Sequence, residues 1–151
     1  MKHKSYQLNS FLIEIILVIL FFAISAGVTL QLFVSADKRA RQSSELSAAV
    51  VQAENFAEQL KGLSSSVGIE DILKNAKKTG ISGGREHYRI SFDQSWEETK
   101  EIPSYIMDIA VLKTPTETGV TVNADISVCR ENSNGEIVLY NLNTAKYVPK
   151  A

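Results

Sequence analysis

Glu14 is the one ionisable residue inside an otherwise apolar run at positions 11–34, where 19 of 24 residues are of the types A, V, I, L, M, F, W, Y or C. A carboxylate held in hydrocarbon costs about 3 kcal/mol even on lenient insertion scales, so such groups meet a counter-charge, a cavity or water. Positions 15–34 contain no Lys, Arg or His, so a cation at that depth would have to come from another molecule. A free α-amino group on a neighbouring subunit has the right chemistry, and it requires the chain to be cut just ahead of the run. A second accommodation is depth alone: Glu14 is the fourth residue of the run, close enough to an interface to reach headgroups or water.

The other chemistry-bearing residues do not form a catalytic or metal-binding set. Cys129 is the single cysteine, which excludes an intrachain disulfide and a thiolate metal cluster. It reads as a small buried side chain in a strand, with a reactive or intermolecular thiol as the alternative. His3 and His87 are far apart in sequence, and His3 precedes the apolar run, so neither a zinc site nor a Ser/His/Asp relay has its parts. Glu97, Glu98 and Glu101 cluster beside Trp96 and Pro103 as a solvated loop would. The 117 residues after the run carry 14 Lys+Arg against 16 Asp+Glu with no basic block, the opposite of an electrostatic footprint for nucleic acid. The expectation is a protein that is not an enzyme, needs no cofactor or metal and binds no nucleic acid.

The elements around Glu14 follow from hydropathy and period. The mean hydropathy of −0.03 averages an apolar head and a polar body. At ~1.5 Å rise per residue, 24 helical residues extend about 36 Å, enough to cross a hydrocarbon core of about 30 Å. Residues 10–34 are therefore expected to be a transmembrane helix, preceded by a polar tail at 1–9 with Lys2 and Lys4. The run is about twice the length of a cleavable signal's apolar region, although Ala23, Ser25 and Ala26 resemble a cleavage site. Lys38, Arg39 and Arg41 on the far side balance Lys2 and Lys4, so charge does not orient the span.

No Pro or Gly occurs between the run and Gly62, so the helix is expected to continue through 35–62. Leu46, Ala49, Val50, Ala53, Ala57 and Leu60 recur at helical spacing and make a stripe, to be covered by a sheet of the same chain or by neighbouring helices. Residues 63–151 should form a small α+β domain. A short helix over 69–78 is closed by TGISGG, alternating runs follow at 87–92 and 120–130, and 104–113 between them is more uniformly apolar, as a central strand would be. NSNG turns into a further strand EIVLYNL, with a short edge near residue 147, for an antiparallel sheet of about four strands.

The string SFLIEIILVILFF, preceded by a short lysine-bearing tail and followed by a long amphipathic helix and a small α+β domain, resembles the N-terminal region of type IV pilins and type II secretion pseudopilins. In that family a prepilin peptidase cuts the tail on the cytoplasmic face after a glycine and methylates the new N-terminus, usually Phe, leaving Glu at the fifth mature position. Aligned on Glu14, the first mature residue is Ser10, preceded by Asn9, with Leu12 and Ile13 as the family's Leu-Ile. Asn9 stands where the family has glycine, and Ser10 where it has Phe. A cut after Ser10 would instead expose Phe11 and leave Glu14 fourth. The proline often found in the family's helix is missing, and so is the cysteine pair that many members use to staple the distal strands.

The resemblance covers about the first 60 residues, and the rest in general architecture only. It implies a pilin-like fold, a long helix packed on a small antiparallel sheet, with the N-terminus cytoplasmic and the sheet domain extracytoplasmic. It also implies a structural role as a minor pilin or pseudopilin, processed and assembled through Asn9, Ser10, Phe11 and Glu14. The implied partners are the membrane lipid, other pilin subunits, a prepilin peptidase, an assembly ATPase and a membrane platform protein. The alternative is a single-pass anchor carrying an extracytoplasmic binding or sensory module.

Overall fold

The computed structural model describes residues 3–64, 68–133 and 135–150, with side chains from residue 10 onward. It is α+β: one long N-terminal helix, a one-turn helix and a five-stranded antiparallel sheet. Helix α1 spans His3–Lys61, 59 residues with Gly27 as the only helix-weakening residue in its interior. A single glycine costs ~1 kcal/mol against alanine and does not break a helix of this length. The chain divides into two compact units, Met1–Ser43 and Ser44–Ala151, and α1 runs through the boundary.

In the first unit every described side chain from residue 10 to 43 is exposed, including Phe21 at 72% and Phe22 at 74%. The helix passes the length and hydropathy test for a membrane span, with a mean hydropathy of 2.8 in its most apolar stretch and none of that stretch buried.

The second unit has a conventional core. Ala49, Ala53, Phe56, Ala57 and Leu60 of α1 are buried against the sheet, so the distal stripe is covered by the chain's own strands. Two members of the expected stripe depart from it: Leu46 is 44% exposed, and Val50 is only half-buried. Phe56 takes a larger share of the interface than the stripe anticipated. Phe56 and Leu60 fill the space that the small residues at 49, 53 and 57 leave on the same helix face.

The sheet is a plain meander in the order β1-β2-β3-β4-β5, with β1 Lys77–Ser82, β2 Arg85–Phe92, β3 Tyr105–Pro115, β4 Gly119–Asn132 and β5 Gly135–Pro149. Tyr105, Met107, Ile109 and Val111 of β3 alternate into the core with Val122, Ala124, Ile126 and Val128 of β4. This is the period-two pattern expected of a sheet with one covered face. Trp96, in the loop between β2 and β3, closes one side of the core by stacking on Tyr105 at 3.9 Å between ring centroids. It holds a positive φ of 65°, with the Asp93 carboxylate accepting the Ser95 and Glu97 N–H groups at 2.8 and 3.0 Å.

Three sequence expectations are corrected. The helix expected over 69–78 is only α2, Ile69–Ile72, and residues 77–82 form β1. Gly83 and Gly84, at φ 59° and 76°, do not close a helix: they are the two-residue turn of a β1–β2 hairpin that sets Ser82 against Arg85. That hairpin satisfies the backbone of 77–82 more completely than a solvated final helical turn, which explains the change of state. The sheet accordingly has five strands where about four were expected. Finally, the separate edge near residue 147 does not exist, because β5 is one 15-residue strand paired with β4 from Asn132↔Gly135 to Gly119↔Pro149. A bulge at Val128/Cys129 absorbs the one-residue slip between the two halves of β5 and lets both stay in the ladder.

Candidate assembly site

The residues singled out in the sequence lie on the first turns of α1. Ser10 and Phe11 are exposed, Phe11 at 60%, and Glu14 is exposed one turn further on. Asn9 lies in α1, and its side chain falls outside the described residues. Helical spacing places Phe11, Ile15, Val18 and Ile19 around Glu14, so the carboxylate lies on an exposed helix face among apolar side chains. Among the described residues nothing donates a hydrogen bond or a salt bridge to it. Such a face can recognise a cation that arrives with an apolar surface, and it offers no nucleophile, proton relay or metal-ligand set.

Apart from the Asp37–Arg41 pair within α1, the ion pairs among the described residues lie in the second unit, and each of these ties elements together. Arg130 of β4 donates to Glu45 of α1 at 2.8 Å. On the sheet face away from the core, the Arg89 guanidinium grips Asp108 through two bonds of 2.7 and 2.8 Å and reaches Glu136 at 3.3 Å. The Asp108 hydrogen bonds raise the Arg89 pKa. Arg85 pairs with Asp125 on the same face. On the other side, Lys113 bridges Glu70 of α2 at 2.5 Å and Glu86 of β2 at 3.9 Å, and Lys78 completes the chain by pairing with Glu86. The Lys113 hydrogen bond holds the Glu70 carboxyl below its ordinary value, and the Lys78 bond does the same for Glu86. Burial pushes the Tyr88 and Tyr105 phenols up.

Cys129 is 4% exposed in β4, opposite Ile106 of β3, and Ser127 Oγ is 3.7 Å from its Sγ. Glu97, Glu98 and Glu101 are exposed on their loop, as a solvated charge run requires. Among the described residues no three His, Cys, Asp or Glu side chains converge as a metal site. Sequence reasoning missed a small cleft of about 210 Å³ between α1, α2 and the sheet, where Gln52, Asn55, Gln59 and Asn75 gather near Glu98. The helical spacing of Gln52, Asn55 and Gln59 was a visible signal, whereas Asn75 and Glu98 meet them only through the tertiary fold. Comparison with protein-family models, curated proteins and solved structures matched none of them.

Proposed function

We propose that this chain is a structural subunit of a type IV pilus or type II secretion-like filament, a minor pilin or pseudopilin held in the membrane by α1 before assembly. One observation carries the reading: Glu14 is the sole charge in the apolar stretch 11–34, which buries nothing within its own chain, on a helix that continues into a sheet-docked segment. An isolated anchor gains nothing from a carboxylate at that position, whereas an assembly element does. Lipid solvates the apolar helix before assembly, and neighbouring helices replace the lipid afterwards.

In the filament Glu14 accepts the α-amino group of a neighbouring subunit, freed by a prepilin peptidase cutting beside Asn9 or Ser10. Packing a helix pair out of register leaves that carboxylate unpaired in an apolar setting, so the pair rewards one axial offset and penalises the others. Ala23, Ala26 and Gly27 permit close helix approach along the same segment. The leader stays cytoplasmic and the sheet domain extracytoplasmic, with a cytoplasmic ATPase and a membrane platform protein driving extraction from the bilayer. The chain performs no catalysis in this role.

The test is Glu14→Ala in a strain that assembles the filament. Membrane insertion should persist, because the substitution makes the span more apolar, and incorporation into the sheared filament fraction should fall at least about tenfold, the effect of losing ~1.4 kcal/mol or more of register energy. Unchanged incorporation would support an interfacial role for Glu14. The amide-lined cleft favours a second reading, a membrane-anchored extracytoplasmic binding module, in which Glu14→Ala is silent and substitutions at Gln52 or Asn55 abolish function.

A further inference from the structure

The apolar run ends at Val34, and the next charges on α1 are Asp37, Lys38, Arg39 and Arg41, all exposed. On a helix, Leu30, Val34, Lys38 and Arg41 follow one another at spacings of four, four and three and form one stripe. That stripe is apolar below and basic above: Leu30 is 67% and Val34 64% exposed, and the Arg41 side chain is 78% exposed. Side chains on a helix lean toward its N-terminus, so Lys38 and Arg41 lean back toward the apolar segment. At ~1.5 Å per residue Lys38 stands about 6 Å and Arg41 about 10 Å beyond Val34, and their long side chains bring both cations into the headgroup layer.

Asp37 pairs with Arg41 one turn away. Its carboxylate accepts the Arg41 Nε–H at 3.0 Å, which leaves the terminal amino groups of the guanidinium as further donors. Arg39 is rotated about 100° around the helix from Lys38 and is not on the stripe.

We infer that Leu30, Val34, Lys38 and Arg41 form a seat for one anionic phospholipid, its phosphate held between the Lys38 ammonium and the Arg41 guanidinium and an acyl chain lying along Leu30 and Val34. The inference rests on the membrane-span part of the proposed function and is independent of filament assembly. A guanidinium already held by a carboxylate loses less rotamer freedom on meeting a phosphate than a free one. The helix sequence sums to one net positive charge over Asp37, Lys38 and Arg41, which matches a singly charged phosphatidylglycerol headgroup and leaves a zwitterionic one with an unmatched choline. The seat fixes the depth and rotation of α1 before assembly, and extraction of the helix from the bilayer must release that lipid.

The test uses the full-length chain in nanodiscs of equal phosphatidylglycerol and phosphatidylcholine, with retained lipids counted by native mass spectrometry after gentle release. One phosphatidylglycerol should be retained in preference to phosphatidylcholine. Lys38→Gln with Arg41→Gln should lower its occupancy constant roughly 30-fold, about fivefold for each basic residue near an anionic surface. Arg39→Gln removes one charge from another part of the helix and should change occupancy less than twofold, against about fivefold for Lys38→Gln or Arg41→Gln alone. An equal loss with Arg39→Gln would reduce the seat to general attraction and overturn it, as would equal retention of the two lipids. Displacement of the lipid by millimolar inorganic phosphate would assign the cations to free phosphate and would also overturn it. Insertion is read in the same samples from incorporation into the discs. A chain that does not insert refutes the span, and one that inserts without lipid preference refutes the seat alone.

Discussion

Ala53 has no exposed surface and lies where α1 meets the sheet, so its Cβ sets how closely the helix packs. Ala53→Leu adds three carbons where the core has no space and should destabilise the second unit by about 1–3 kcal/mol. Denaturant unfolding of the full chain in detergent, followed by the stacked Trp96, measures this directly; a change under 0.5 kcal/mol would mean that the interface is looser than the packing indicates. The buried positions on the helical stripe and on the β4 alternation were legible because a buried face leaves a period in the sequence. Cys129 was legible too, as a small side chain in an alternating strand. The Arg89–Asp108–Glu136 group was not, because its members sit on three strands and meet only through a register that sequence spacing does not encode.

Among the elements, β1 and α2 show where local reading fails. Residues 69–78 carry a helical apolar pattern, yet only one turn forms, because hydrogen bonding to β2 outweighs propensity once Gly83 and Gly84 make the hairpin turn. The α2 turn is held instead by burial of Ile69 and Leu73 and by the Glu70–Lys113 bridge. The Glu70 and Glu86 pKa values are depressed in the folded state, so their contribution is present above the ordinary glutamate range and is lost as the pH falls through the depressed values. The melting temperature should therefore drop between pH 6 and pH 3, and drop less in Lys113→Met, which removes the main cause of the Glu70 shift while Lys78 still holds Glu86. The difference should be small, because the Glu70 side chain is 70% exposed and screened by solvent. Identical pH dependence in the two proteins would show that the bridge contributes nothing to holding α2.

At the scale of the whole molecule, the α+β class with a long N-terminal helix ahead of an antiparallel sheet was legible, because hydropathy and period change along the chain. The number of strands and the length of β5 were not legible, since both depend on long-range pairing and on a bulge that a pattern of period two cannot announce. The proposed assembly role rests on α1, which exposes its apolar residues from 11 to 34 and carries one carboxylate among them. In the proposed role, the exchange of lipid for neighbouring helices begins with removal of the tail that precedes the span. The decisive measurement is the intact mass of the membrane-inserted chain after co-expression with a prepilin peptidase, set against the chain expressed without it. The account predicts loss of residues 1–9 or 1–10 with a methylated Ser10 or Phe11 at the new N-terminus. An unprocessed chain retaining Met1 after correct insertion would contradict it.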